Sequence, residues 1–188
     1  MRKFFLLLLI LPVLQGCIPL IIGGAIGAGA LLVSDRRPGG TYVQDERIEI
    51  AAIKFINDRY RSNSNINVTS YNGNVLLSGE AADEKIKSDA EAITRTIEGV
   101  KTVFNELTIA GNSSLGSRGN DTAITSKVKT RFLSNGGRFS PNHIKVVTEN
   151  NVVYLLGIVT KSEADAASEI ASTTSGVQRV VKLFEYKT

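Results

Sequence analysis

The chain contains two copies of one sequence pattern, and this internal repeat constrains its fold more than any other feature. Residues 66–79 (INVTSYNGNVLLSG) align with 144–157 (IKVVTENNVVYLLG) at an offset of 78, and 98–107 (EGVKTVFNEL) align with 175–184 (SGVQRVVKLF) at an offset of 77. Repeated segments of this kind fold into similar structural units. We therefore expect two small domains of the same architecture.

The first half of each copy predicts a helix followed by a β-hairpin. Apolar residues recur every four positions after an aspartate, which we expect to cap the helix. These residues are Ile48, Ala52 and Ile56 after Asp45, and Ile124, Val128 and Phe132 after Asp121. Two strands follow, joined by Asn72-Gly73 in the first copy and by Asn150-Asn151 in the second. Asn-Gly between apolar runs is a strong signal for a tight hairpin turn.

The second half of each copy predicts a helix and a last strand. Residues 86–97 place apolar side chains on one helical face, and in the second copy Thr160 and Glu163 form a capping-box pattern. The last strands are 103–109 and 180–186. The order is α-β-β-α-β, and a right-handed β-α-β crossover makes the last strand parallel to its neighbour. The predicted class is α+β, each domain having a three-stranded mixed sheet with two helices packed on one face.

The hairpin ending and the opening of the last strand resemble the BON domain. The segments that carry the resemblance are 75–79 (VLLSG) with 99–103 (GVKTV), and 153–157 (VYLLG) with 176–180 (GVQRV). Together with the N-terminal features described next, the whole chain resembles the outer-membrane lipoproteins that carry two BON domains.

Cys17, the sole cysteine, ends a short apolar run that follows the basic residues Arg2 and Lys3. A basic start, an apolar segment and small residues before a cleavage point are typical of a secretory signal peptide. The ending Leu-x-Gly-Cys resembles the bacterial lipobox, which implies that Cys17 is lipidated and becomes the first residue of the mature chain. The alternative is a transmembrane segment within residues 4–33, since about 20 apolar residues can span a bilayer. Isoleucine at position 18 favours, by the same resemblance, the outer membrane.

These features divide the chain into five parts. We expect a signal peptide at 1–16, a lipidated N-terminus and linker at 17–44, the first BON domain at 45–110, a Gly/Ser-rich linker at 111–119 and the second BON domain at 120–188. The two domains differ in charge. The first has 8 Lys and Arg against 11 Asp and Glu, a net −3, and the second has 9 against 6, a net +3.

The resemblance implies a periplasm-facing protein that supports envelope integrity, with the division site as one place of action, and that binds anionic phospholipid through the first helix of the second domain. The candidate contact residues there are Ala123, Lys127, Thr130, Arg131 and Leu133. Leu133 lies opposite the core positions, as either an exposed apolar contact or part of a fraying helix end. The alternative for Lys127 and Arg131 is a solvated helix face. Members of this group carry tryptophan where this chain has Ala123, and tryptophan suits the headgroup region of a membrane.

No pattern in the chain predicts catalysis, so we expect a protein that is not an enzyme, with no catalytic residues, no metal site and no cofactor. His143, the single histidine, is predicted to lie in a loop. The expected partner is an anionic phospholipid membrane, with no nucleic acid and no small-molecule substrate. An alternative function is an adaptor that binds envelope assembly or division proteins through the acidic first domain or the sheet faces.

Overall fold

The computed structural model describes residues 35–60, 64–111 and 113–187. Residues from Asp35 onwards form one compact unit. The hydrophobic cores of both domains are built from residues of this unit, so we expect residues 35–188 to fold without the preceding part. The predicted signal peptide, Cys17 and the alternative membrane segment lie outside the described residues.

Both domains have the predicted element order. The elements of the first are α1 (Thr41–Tyr60), β1 (Ser64–Tyr71), β2 (Asn74–Ala81), α2 (Glu84–Arg95), β3 (Thr102–Asn105) and β4 (Thr108–Ile109). The elements of the second are α3 (Leu115–Leu133), a 3-10 turn (Pro141–His143), β5 (Ile144–Glu149), β6 (Val152–Val159), α4 (Lys161–Ser172) and β7 (Arg179–Tyr186).

Each sheet is mixed and is centred on the second strand of its hairpin. β1 pairs with β2 antiparallel, and both β3 and β4 pair with β2 in parallel. The single last strand predicted at 103–109 is therefore interrupted, and at the interruption the buried side chain of Leu107 enters the core. In the second domain β6 pairs with β5 antiparallel and with β7 in parallel without a break. The prediction of a three-stranded mixed sheet in each domain is confirmed.

The hairpin turns have the backbone that the sequence predicts. Asn72 and Gly73 have φ of 54° and 78°, and Asn150 and Asn151 have φ of 49° and 63°. Two consecutive left-handed residues are the signature of a type I′ turn, whose twist matches that of the strands. On β6, Gly157 allows a close approach of strands, because a Cβ atom there would lie 2.4 Å from the carbonyl oxygen of His143.

The helices of each domain pack on one face of its sheet, and the other faces of the two sheets pack on each other. The first core joins α1 and α2 to the sheet, and the second joins α3 and α4 to theirs. A third cluster joins the sheets through Tyr71 and Leu76 of the first domain and Tyr154, Leu156 and Leu183 of the second. The result is a four-layer block in the order helix, sheet, sheet, helix. The sheet faces suggested for an adaptor function are covered by each other.

Polar pairs surround this contact between the sheets. Asn67 donates to Glu149 at 3.0 Å, and Asn150 donates to Glu80 at 3.2 Å. Lys145 of β5 pairs with Glu49 of α1 at 2.8 Å. Because these contacts satisfy charged groups at the edge of an apolar contact, they favour one relative arrangement of the domains.

The prediction that Asp45 and Asp121 cap their helices is wrong. α1 begins four residues before Asp45, and α3 begins six residues before Asp121, at Leu115. Each carboxylate accepts hydrogen bonds from backbone amides of a hairpin turn instead. Within the expected linker 111–119 the structure has a helix start, since Ser114 caps α3 by accepting from the amide of Ser117 at 3.2 Å.

Residues 35–37, which the sequence places in a linker, contact both domains. Arg36 makes a bidentate ion pair with Glu163 of α4, at 2.6 and 2.9 Å. Arg37 bonds Asp35 and, at 3.0 Å, Asp45 of α1. None of the helices of the described residues is long and apolar enough to cross a bilayer.

Candidate functional site

The five candidate contact residues all lie on the exposed part of α3. Its buried face is formed by Ile124, Val128 and Phe132, at the predicted spacing of four. Ala123, Lys127, Thr130 and Arg131 are exposed along the helix, and Leu133 is exposed at its end. The structure thus gives each candidate side chain access to solvent.

Arg131 is the candidate with the most contacts. Its guanidinium donates to the carbonyl oxygen of Ile170 at 2.7 Å and to the hydroxyls of Thr174 and Thr173 at 2.8 and 3.1 Å. These groups lie at the carboxyl end of α4, where unpaired carbonyls give partial negative charge. Arg131 therefore joins α3 to the end of α4, a contact that helical spacing does not predict.

Lys127 lies beside Arg131 in a shallow groove between α3 and the end of α4. The groove has a volume of about 460 Å³ and is lined by Ser126, Lys127, Thr130, Arg131 and residues 173–175. The Thr130 hydroxyl donates to the carbonyl of Ser126 at 2.9 Å. Within the described chain, the Lys127 ammonium group has no hydrogen bond or ion pair. Its charge is available to an anion.

Leu133 ends α3 with 77% of its surface exposed. It lies at one wall of a cleft of about 530 Å³, together with Lys129 and the buried ring of Phe132. Tyr42 and Tyr71 of the first domain line the same cleft. Lys129, like Lys127, has no ion pair among the described residues. An exposed leucine beside a cation suits contact with an interface between water and lipid.

Arg37 also lines this cleft. Its guanidinium lies between the rings of Tyr42 and Tyr71, at 5.0 and 4.7 Å from their centroids. Burial acts to lower the pKa of Arg37, but the carboxylates of Asp35 and Asp45 outweigh it and raise that pKa. Burial also raises the pKa of Tyr71 to about 12. Arg37 is a permanent cation held by the protein's own groups.

The histidine and the acidic residues show no arrangement for metal binding. The residues described contain no group of three or more histidine, cysteine, aspartate or glutamate side chains that could hold a metal ion. His143, predicted in a loop, ends the 3-10 turn before β5.

Comparison with known proteins decides the family. A family model described as the BON domain matches residues 44–111 and again 120–188. The chain belongs to the BON family. The two BON domains correspond to the two α-β-β-α-β units of the structure, and the match confirms the resemblance carried by the hairpins and last strands.

Similarity to individual proteins extends beyond the BON domains. The chain is 37% identical to outer membrane lipoprotein DolP of Haemophilus influenzae, over 99% of this chain and 96% of that protein. It is 34% identical to a 21 kDa hemolysin of Actinobacillus pleuropneumoniae, over 81% of this chain and 79% of that protein. It is 29% identical to osmotically-inducible protein Y of Escherichia coli, over 81% and 78%. The chain is thus a lipoprotein of the outer membrane with two BON domains.

One surface was missed by reasoning from sequence. Of the large apolar side chains exposed in the described structure, most lie on α1 of the first BON domain: Tyr42, Val43, Ile50, Ile53 and Phe55. The predicted contact helix α3 exposes Leu133. A signal was present, since α1 has apolar residues both at the core positions and between them, unlike a helix with one solvated face.

Proposed function

We propose that this lipoprotein faces the periplasm, is anchored through lipidated Cys17, and binds anionic phospholipid through α3 of its second BON domain. By this contact it supports the integrity of the envelope, as a binding protein and not as an enzyme. The observation that carries the proposal is Leu133, an exposed leucine that has Lys129 and Lys127, two cations without partners in the described chain, on the same helix.

The charge of the second domain supports this assignment. Its net charge of +3 contrasts with the −3 of the first domain. Each basic residue close to an anionic membrane contributes about 1 kcal/mol to binding. Lys127 and Lys129 are the cations of α3 that are free to approach phosphate, whereas Arg131 bonds the end of α4.

Ala123 limits the apolar part of the contact. Alanine offers far less apolar surface to the headgroup region than the tryptophan of related proteins. Insertion by α3 therefore depends on Leu133, and we propose that the lipid anchor at Cys17 contributes more of the total membrane affinity here than in those relatives. Two or more acyl chains suffice for stable anchoring.

Co-sedimentation with vesicles tests the binding of α3. Residues 35–188 are expected to pellet with vesicles that contain phosphatidylglycerol and to stay in solution with phosphatidylcholine alone. Added salt should weaken the binding, because ions screen exposed charges. The double variant Lys127→Gln/Lys129→Gln should bind about fivefold more weakly for each charge removed.

A matched variant separates this site from net charge. Lys161→Gln/Lys187→Gln removes two exposed cations of the same domain that lie on other elements, and it should bind as the parent does. Equal pelleting with both kinds of vesicle, or equal losses in the two double variants, would contradict a site on α3. Recovery of a stoichiometric protein partner without vesicle binding would favour the adaptor function.

The anchor is tested separately in membranes. Cys17→Ser in the full chain should release most of the protein from the membrane fraction, since the remaining contact is a surface one. Substantial retention would contradict the lipid anchor and favour the alternative of a membrane-spanning segment within residues 4–33.

A further inference from the structure

The outer face of α1 carries a stripe of alternating apolar and basic side chains. Its members are Val43, Arg47, Ile50 and Lys54, spaced by four, three and four residues. At 100° per residue they fall within about 60° of one another, opposite the buried Ile48, Ala52 and Ile56. We call these four residues the α1 stripe.

The apolar members of the α1 stripe are well exposed. Val43 has 50% of its surface exposed, and Ile50 has 67%. Ile53, one turn beyond Ile50, is partly exposed beside them. Contact of such side chains with water is unfavourable in free energy, and their burial against an apolar phase would be favourable.

The basic members of the α1 stripe are free to bind. Arg47 and Lys54 are exposed, and neither has an ion pair or hydrogen bond among the described residues. Of the acidic side chains of α1, Glu49 pairs with Lys145. Glu46 and Asp58 are exposed and flank the stripe, Glu46 beside Ile50 and Asp58 one turn after Lys54. Both charged members of the α1 stripe itself are thus cations, although the domain as a whole is acidic.

The corresponding face of α3 lacks this pattern. Asp45 of α1 and Asp121 of α3 are equivalent in the two repeats. Aligning the helices on these two residues places the four stripe positions at Gly119, Ala123, Ser126 and Thr130 of α3. None of them is large and apolar, and none is charged. The repeat thus places an apolar and basic face on the first BON domain at positions where the second has small and polar residues.

We propose that the α1 stripe is a second contact site of this protein for an anionic lipid bilayer, separate from α3. Apolar side chains between cations match the boundary between acyl chains and phosphate groups. A single helix face of this size is much smaller than the roughly 1,000 Å² that a stable protein interface buries. It is sufficient for a contact that adds to an existing anchor.

The position of α1 along the chain supports the same partner. α1 begins six positions after Asp35, the first described residue. Cys17 lies 18 positions before Asp35, which is at most about 65 Å of chain. If Cys17 holds the chain on a bilayer, the α1 stripe lies within reach of that bilayer. The two helices lie in opposite outer layers of the block, and they approach each other only where Tyr42, at the start of α1, lines the same cleft as Leu133 at the end of α3.

Site-specific labelling tests the proposal, because residues 35–188 contain no cysteine. An environment-sensitive fluorophore is attached in turn to Ile50→Cys on the stripe, to Leu133→Cys on α3 and to Lys101→Cys as a solvent control. Each protein is mixed with vesicles of phosphatidylglycerol and phosphatidylcholine, with and without lipids that quench the fluorophore. The label at position 50 should shift to shorter wavelength and be quenched, and the label at position 101 should not change.

Charge variants complete the test. Arg47→Gln/Lys54→Gln should weaken vesicle binding by about fivefold per charge, and Arg59→Gln/Lys87→Gln, which removes two cations of the same domain outside the stripe, should leave it unchanged. A label at position 50 that stays in water while the label at position 133 is quenched would overturn the proposal and leave the α3 site standing. The reverse result would overturn the α3 site alone. A dimer of residues 35–188 that Ile50→Ser abolishes would assign the stripe to a second copy and also overturn the proposal.

Discussion

Asp45 and Asp121 occupy equivalent positions in the two BON domains, and each carboxylate accepts hydrogen bonds from the backbone of a hairpin turn. Asp45 accepts from the amides of Asn72 and Gly73 at 2.8 and 2.9 Å and from the hydroxyl of Ser70 at 2.6 Å. It also pairs with Arg37, whereas the bonds of Asp121 are to the amides of Asn150 and Asn151. The aspartate of the first domain therefore makes more polar contacts than its equivalent in the second domain.

Replacing the two aspartates should have unequal effects on stability. Asp45→Ala removes one of the two carboxylates that pair with Arg37 and leaves three other donors without their acceptor, and should lower the free energy of unfolding by about 3–5 kcal/mol. Asp121→Ala leaves two backbone amides unpaired and should cost about 1–3 kcal/mol. Urea unfolding of residues 35–188 measures both. Equal losses, or a larger loss for Asp121→Ala, would show that the contact with Arg37 adds nothing.

Glu163 provides a pH-dependent contribution. The ion pair with Arg36, together with hydrogen bonds from Thr160, lowers the pKa of Glu163 to about 2 from its usual 4.5. A carboxylate with a lowered pKa stabilises the folded state above its unfolded pKa, and this contribution is lost as the pH falls through the folded pKa. The free energy difference between the parent and Glu163→Gln should therefore shrink from pH 4.5 towards pH 2. A constant difference across that range would contradict this role.

At the scale of helices and strands, local patterns predicted most of the structure. Both type I′ turns follow from Asn72-Gly73 and Asn150-Asn151, and the core faces of α1 and α3 follow from apolar residues every four positions. The starts of α1 and α3 were not predicted correctly. An aspartate before an apolar run suggests a helix cap, but Asp45 and Asp121 bond hairpin turns that lie more than 20 positions further along the chain.

Contacts between elements account for the parts of the site that the sequence did not predict. Nothing local indicates that Arg131 bonds carbonyl and hydroxyl groups about 40 residues further on. The burial of both faces of each sheet, in contrast, was indicated by the sequence. The central strands read VLL at 75–77 and VVYLL at 152–156, and such continuous apolar runs are typical of strands buried on both faces.

At the scale of the whole molecule, the two sheets form a shared apolar contact centred on Leu76, Tyr154 and Leu156. Because each domain covers a sheet face of the other, we expect residues 35–188 to unfold in one cooperative transition. Leu76→Ala, at a fully buried position in this contact, should lower the stability of both domains together by about 2–5 kcal/mol.

Backbone amide signals from each domain, followed by NMR through a urea titration, measure this coupling. Signals from β2 and β6 should share one midpoint in the parent and shift together in Leu76→Ala. Separate midpoints, with the second domain unaffected by the substitution, would show that the sheets contribute no common stability. The covered sheet faces also leave the outer helix layers as the broad surfaces for partners.

Chemical-shift mapping of residues 35–188 with micelles of an anionic phospholipid shows residue by residue where the protein meets lipid. We expect the largest shifts on the outer side of α3, at Lys127, Lys129 and Leu133, with a second set on the α1 stripe and small shifts along the buried strands β2 and β6. Zwitterionic micelles should cause few shifts. An α3 without shifts in anionic micelles, or equal shifts with both kinds of micelle, would contradict anionic phospholipid binding by the second BON domain.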